Sequence, residues 1–236
     1  MQHFKASILG ITSALAFQTI VLAAEKPNII LVMADDQGYG DMGYTGHPFV
    51  QTPAFDAMAK DSIVFDHFYA AAPVCSPTRA SVMSGRHPMR TNIPNHGHYM
   101  RPHEATLPEA LKSAGYVTGH FGKWHIGSVQ PESPTSPGQI GFDEWLTGLN
   151  FFDNNPYLVE NGTYVRKQGQ GSVLTMDATI DFIKKHKDGD KPIFAATWFP
   201  APHDPHKEVP VDFPGGKNLY KDIEKKHGIK NKYRGY

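Results

Sequence analysis

The stretch "PNIILVMADD", residues 27–36, decides the fold. It is apolar without a break from Ile29 to Ala34. A strand with one wet face would alternate apolar and polar residues. An unbroken run is what a parallel strand needs when helices cover both of its faces. The run then stops at two adjacent carboxylates, Asp35 and Asp36. "KPIFAATWFP" (191–200) reads as a second buried strand, and "YVTGHFGKWH" (116–125) as a strand running into a loop. "SIVFDHFYA" (62–70) also reads as a strand.

Helical patterns separate these runs. "TPAFDAMAKD" (52–61) has Thr52 as a cap and Pro53 at the first helical position, with Phe55, Met58 and Ala59 at helical spacing. "SPTRASVMSG" (76–85) opens on Ser-Pro and stops at Gly85. "TLPEALKSAG" (106–115) repeats this pattern, with Thr106 as cap, Leu107 and Leu111 on one face and Gly115 as stop. "TMDATIDFIKKHKDG" (175–189) is amphipathic through Ile180 and Ile183, and its last turn is basic, which suits the helix dipole. Helices between apolar strands predict an α/β fold with a mainly parallel sheet sandwiched by helices. "SVQPESPTSPGQ" (128–139) reads as a Pro/Ser loop inserted into that pattern. From Lys207 onward the chain is polar and Lys-rich.

The first 24 residues have a different character. Lys5 precedes a mostly apolar stretch from Ile8 to Ala24, and "VLAA" (21–24) offers small residues for cleavage. That is the layout of a secretory signal peptide, so a secreted or periplasmic location is expected. Ser13, Gln18 and Thr19 interrupt the stretch, which argues against stable membrane insertion. Residues 25–236 then read as one domain. Hydrophobic residues make up 40% of the chain, enough for a packed core. Lys+Arg and Asp+Glu number 23 each, so no overall charge favours nucleic acid or an anionic membrane. Cys75 is the single cysteine, and an exported chain with one unpaired thiol needs a reason for it.

Ligands of a parallel α/β sheet bind beyond the carboxyl ends of its strands. The polar residues that break the apolar pattern fall there. Asp35-Asp36 repel each other unless a cation neutralises them, and oxygen donors suit Ca²⁺ or Mg²⁺. In "DDQGYGD" the same pair also reads as a solvated turn. Cys75 lies next to a helix start, where free N–H groups favour an anion, and Arg79 follows one turn later. A small buried thiol beside a surface arginine is the alternative. Lys123 and His125 share a face of an extended segment, pairing a fixed positive charge with a group that moves protons near neutral pH. They also read as two exposed polar residues. His203, in "APHDPH", sits between prolines, with His206 as a rival. His87, His96, His98 and His103 offer either a Zn²⁺ site or a polar loop at a pocket mouth. The loop is favoured because no carboxylate or thiol completes the set. Asn161-Gly162-Thr163 is a glycosylation sequon. Trp124, Trp145, Phe151, Phe152 and Tyr157 suit either stacking on sugars or core packing.

"PNIILVMADDQGYGD", then "CSPTRASVMSGR", then "GKWHIG" together resemble a type I sulfatase of the alkaline phosphatase superfamily, from about Pro27 to about Pro210. The resemblance implies a reason for the lone thiol. The cysteine of C-x-P-x-R is oxidised to Cα-formylglycine in this family, so Cys75 would be the precursor of an aldehyde. Its hydrate supplies one hydroxyl to attack the sulfur of a sulfate ester. The second hydroxyl re-forms the aldehyde and expels sulfate. The same resemblance implies that Asp35, Asp36 and modified Cys75 bind Ca²⁺, with Mg²⁺ as a substitute. Arg79 would stabilise the diol, Lys123 would hold the sulfate and His125 would assist the diol or its elimination. His203 would contact the sulfate or protonate the leaving group. The implied partners are a sulfated small molecule or carbohydrate and a formylglycine-generating or sulfatase-maturing enzyme.

Members of the family are usually longer. They add an Asp-Asn or Asp-His pair and another lysine from later segments, and no such pair follows His203. The chain is therefore expected to be the N-terminal portion of the catalytic domain, incomplete at the C-terminus. By itself it is expected to bind Ca²⁺ weakly and to hydrolyse sulfate esters poorly. A phosphonate monoester hydrolase or phosphodiesterase of the same superfamily, and a non-catalytic binder of sulfated glycans, are the competing expectations.

Overall fold

The apolar run does form a parallel strand. In the computed structural model, which describes residues 26–152 and 154–203, Ile29–Asp35 is β1. It pairs with β6 (Ile193–Pro202), which in turn pairs with β2 (Val117–Lys123), and β2 pairs with β3 (Glu144–Gly148). These three pairings are all parallel. Two short antiparallel strands, β4 (Tyr157–Glu160) and β5 (Thr163–Arg166), complete the order β1-β6-β2-β3-β4-β5. The expected α/β fold with a mainly parallel sheet is therefore the observed one.

The two central strands carry the core because helices cover both of their faces. On one side α5 (Gly171–His186) lays Thr175, Thr179 and Phe182 against the sheet, and Phe182 joins Phe121, Leu146, Ile193 and Ala195. On the other side α2 (Cys75–Ser84) and α4 (Leu107–Ser113) close over Phe194, Ala196, Trp198, Trp124 and Phe142. Thr106 caps α4 in a full capping box with Glu109, as its position before Leu-Pro-Glu predicts. Gly85, in the left-handed region at φ 65°, ends α2 by donating to the Ser81 carbonyl.

Several expectations are corrected. Residues 62–70 form no strand: Ile63, Phe65, Phe68 and Tyr69 stand in solvent in an irregular segment. Their apolar character is real, but among the described residues no neighbouring strand accepts their backbone groups. Helix α1 (Pro53–Lys60) forms where the Thr52-Pro53 signal places it, yet Phe55 and Met58 are exposed. What holds α1 is polar. Asp56 Oδ1 accepts from Tyr44 N at 2.8 Å and from Thr52 Oγ1 at 2.7 Å. The buried face of α5 runs through its threonines and Phe182, while Ile180 faces outward. The Pro/Ser loop is no loose insertion. Thr135 and Ser136 are buried, and the Thr135 carbonyl accepts from Trp124 Nε1 at 3.0 Å. Asn161 and Gly162 take left-handed φ values of 47° and 92° in the β4–β5 turn, which is the hairpin chemistry of an Asn-Gly pair. The expected signal peptide at 1–24, His206 and the Lys-rich stretch from Lys207 lie outside the described residues.

Candidate active site

The carboxyl ends of β1, β2 and β6 and the N-terminus of α2 meet at one edge of the sheet. Each strand delivers its residue through a local device. In β1 and β6 the register shifts: Met33 lies opposite Trp198, but Asp35 lies opposite Pro202. The two extra residues of β6 bring His203 alongside Asp36, with His203 Nε2 3.4 Å from Asp36 Oδ2. In β2, Gly122 precedes Lys123 at φ 106°, and a Cβ there would run into the Trp198 carbonyl. Only glycine lets β2 come this close to β6 just before its functional end. Ahead of α2, Thr78 Oγ1 donates to the Ala72 carbonyl at 2.8 Å and accepts from Ala72 N at 3.2 Å. This ties the approach to Cys75, which is itself the first residue of the helix, with Val74 as N-cap.

Asp35 is the hub. Its Oδ2 accepts from Lys123 Nζ at 2.5 Å, and its Oδ1 lies 3.1 Å from Arg79 Nη2 and 3.4 Å from Cys75 Sγ. Lys123 Nζ also reaches Cys75 Sγ at 3.4 Å. Arg79 is fixed twice more: Nη1 donates to the Lys123 carbonyl at 2.8 Å, and the guanidinium lies 5.0 Å from the Trp198 ring centroid. Asp35, Arg79 and Lys123 are all buried. Two buried cations on one carboxylate are stable only because each has its partner.

Burial and neighbouring charges pull on Asp35, Cys75, Lys123 and His125. Burial alone would raise the Asp35 carboxyl, but Arg79 and Lys123 outweigh it and hold it below the usual range. Lys123 is lowered by burial and by Arg79. The Cys75 thiol is pushed up by burial and then by Asp35. It is thus kept protonated, the opposite of what a working thiolate nucleophile requires. His125 is lowered to about 4, by burial first and then by Lys123 and Arg79, so the imidazole is neutral at pH 7. It is held in the left-handed region at φ 58°, with its N–H donating to the Leu149 carbonyl at 2.8 Å.

All the predicted site residues therefore gather at this edge, but not as one ligand set. Asp35, Cys75 and His203 place candidate metal donor atoms within 4.8 Å of one another. Asp36, more than half exposed, takes the left-handed φ of 60° and turns to His203. The chemistry of the donors suits a divalent cation in part: the Asp35 carboxylate lies against the Cβ substituent of residue 75, where an oxygen would add a second hard donor, and His203 brings a nitrogen. Among the described residues the His87–His103 loop yields no metal cluster. His87 Nδ1 caps the short helix α3 (Pro88–Thr91), and His96 stacks 6.5 Å from His125. Trp124 and Phe151 belong to the core, whereas Tyr157 is exposed. Sequence reasoning missed Trp198 as the platform under Arg79. It also missed how Phe152 sits over the site. A tryptophan near the carboxyl end of a buried strand was the available signal.

Known proteins resemble this chain in sequence and fold. The sequence model of the family described as "Sulfatase" matches residues 27–234. The N-acetylgalactosamine-6-sulfatase of Canis lupus familiaris is 33% identical over 216 residues, covering 78% of this chain and 41% of the relative. The ulvan-active sulfatase of Formosa agariphila is 32% identical over 200 residues, covering 83% and 38%. The crystal structure of Ps i-CgsB in complex with k-i-k-neocarrahexaose superposes with a TM-score of 0.74 at 29% identity, over 89% of this chain and 51% of that one. The chain thus spans about two fifths of the length of the curated relatives it matches.

Proposed function

Because the chain belongs to the sulfatase family, we propose that the protein it represents hydrolyses sulfate esters, taking up water and releasing an alcohol and sulfate. The single observation that carries this reading is the position of Cys75. It is the first residue of a helix and lies within hydrogen-bonding reach of both Asp35 and Lys123. A half-buried, protonated thiol does little chemistry there. The same position carrying an oxidised, hydrated carbonyl would have a nucleophilic oxygen among the groups that activate it.

Each neighbour has a role under this reading. Asp35 and Asp36, with the oxygen on residue 75, would hold a divalent cation, Ca²⁺ or Mg²⁺. Bound there, the cation would supply Lewis-acid charge to the nucleophile and the sulfate. Arg79 fixes Asp35 and adds positive charge beside residue 75. Lys123 supplies the charge that receives a sulfate oxygen. His125, neutral at pH 7, is ready to accept a proton from the residue-75 hydroxyl. His203, beside Asp36, is placed to contact the sulfate or to give the leaving alcohol its proton.

The substrate class follows from the relatives. One is named for N-acetylgalactosamine 6-sulfate, another for ulvan, and a structural neighbour holds a neocarrahexaose. A sulfated carbohydrate is the substrate we assign. Export and maturation by a formylglycine-generating enzyme complete the reading. No helix of the described residues is long and apolar enough to cross a membrane.

The test is mass spectrometry of the Cys75 peptide from protein made with a maturing enzyme, together with turnover of matched aryl sulfate and aryl phosphonate esters. We expect loss of the thiol, gain of an aldehyde, and faster sulfate than phosphonate release. An intact thiol in matured material, with sulfate binding but no turnover, would replace the enzyme with a sulfated-glycan binder.

A further inference from the structure

Phe152 stands at the same sheet edge, four residues past the end of β3. Its ring is stacked on the His203 imidazole, with centroids 3.8 Å apart and planes 14° from parallel. The same ring lies with its centroid 4.2 Å from Lys123 Nζ. One aromatic ring thus touches two of the polar groups that the proposed reaction uses.

We propose that Phe152 is a positioning residue: its face sets the Lys123 ammonium and the His203 imidazole in a fixed relation, so that both address one sulfate group. The proposal rests on the sulfatase reading of the site. A lysine ammonium is a point charge on a flexible four-carbon stem, and its direction must be set from outside. Asp35 Oδ2 and Cys75 Sγ accept its hydrogen bonds. The negative face of an aromatic ring adds a third restraint on the charge. That restraint has a useful chemical property. A phenyl ring has no hydrogen-bonding atom, so it attracts the ammonium without offering a lone pair in place of a sulfate oxygen. Water at the same place would compete for the same protons.

The imidazole gains in the same way. Stacked flat on a ring, it keeps its nitrogens at the edge of the stack, and Nε2 stays 3.4 Å from Asp36 Oδ2. His203 follows the last residue of β6, so its backbone alone does little to orient the ring. Phe152 therefore couples the residue after β6 to the end of β2 through π contacts. An aliphatic side chain of similar size would fill the space but would lack both the quadrupole and the flat face.

The experiment compares the full chain, matured at residue 75, with Phe152→Tyr, Phe152→Leu and Phe152→Ala. Three quantities are read: inorganic sulfate affinity by calorimetry, aryl sulfate kinetics, and the thermal midpoint. Tyr keeps the ring and is expected to stay within about twofold of wild type. Leu should keep the thermal midpoint while weakening inorganic sulfate about tenfold, equivalent to about 1.4 kcal/mol. Its KM should rise by the same factor, and Ala should be at least as impaired. Leu matching wild type in sulfate affinity would overturn the proposal. So would Tyr falling with Leu and Ala, affinity falling only in step with the melting temperature, or a wild type that binds no inorganic sulfate. Failure of the sulfatase reading would look different. Wild type would bind sulfate without turnover, and the affinity ranking of the four proteins would still decide the role of Phe152.

Discussion

Two regions of the molecule are built from the same residue types and end in opposite states. In β6 and β2, Phe194, Phe121 and Trp198 are buried between helices. In residues 53–70, Phe55, Phe65 and Phe68 are exposed, and helix α1 is held by Asp56 and Thr52 rather than by its apolar residues. Strand β1 shows both states at once. Ile29, Leu31 and Met33 pack into the core, whereas Ile30 and Val32 on its other face are exposed. Apolar character alone therefore does not make a core. A strand must also find partners for its backbone and a helix for each face. The candidate active site stands at the end of β1, and its two aspartates follow the same alternation: Asp35 is buried and Asp36 exposed although they are neighbours in sequence.

The largest effect should come from breaking that asymmetry at Asp35. Its carboxylate is the partner of two buried cations, Arg79 and Lys123. Asp35→Ala strands both charges in a low dielectric and should cost about 3–5 kcal/mol of folding stability. Asp36→Ala removes an exposed carboxylate whose described ion pair is with His203, and should cost about 1 kcal/mol or less. Urea denaturation of the two variants measures the difference. Equal losses would mean that the two carboxylates are not divided between a buried and an open region.

That division was only half legible in the sequence. The apolar run of β6 was readable because a parallel strand buried on both faces leaves no polar alternation, whereas the run of β1 predicted its parallel pairing but not the exposure of Ile30 and Val32 on its outer face. The ends of α2 and α4 were readable because caps and a C-terminal glycine are local chemistry. The convergence of Asp35, Cys75, Lys123, His125 and His203 followed from where the apolar pattern breaks. What could not be read depends on distant partners. Residues 62–70 have a strand's composition but no strand beside them. Strands β4 and β5 are short, and their best signal, Asn161-Gly162, also spells a glycosylation sequon. The pairing of Asp36 with His203 depends on a register shift between β1 and β6 that no local pattern encodes. The stacking of Phe152 on His203 joins two loops about fifty residues apart, and only the sheet brings them together.

Acid should sharpen the contrast at intermediate size, because the buried region also holds the depressed histidines. His120 is fully buried among Trp124, Phe142 and Trp198, and desolvation first, then Arg79, takes it well below 6.5. His125 is lowered to about 4. Both groups bind protons more readily in the unfolded chain. Their contribution to stability is full above about pH 6.5 and is lost as the pH falls toward 4. The lowered carboxylates Asp35, Asp143 and Glu144 act below that window, since their unfolded values lie near 4. Stability should fall by about 1–3 kcal/mol between pH 7 and pH 5.5, allowing for the partial exposure of His125. Guanidinium titrations at the two pH values check this. Stability that holds or rises on acidification would contradict neutral, buried imidazoles.

The smallest expected effect tests the open region directly. Phe68 is 82% exposed, whereas Phe194 is fully buried. Truncating a buried phenylalanine costs about 3–5 kcal/mol, through lost transfer energy and the cavity left behind. Phe68→Ala leaves no cavity and removes little area from the core, so its cost should stay within about 0.5 kcal/mol. It should also raise solubility, because it removes part of an exposed apolar patch formed with Ile63, Phe65 and Tyr69. The pair Phe68→Ala and Phe194→Ala, followed by denaturation in the same buffer, separates exposure from residue type. If Phe68→Ala cost as much as Phe194→Ala, something would have to cover Phe68 in solution. The apolar run at 62–70 would then be one side of an interface rather than a segment that found no partner.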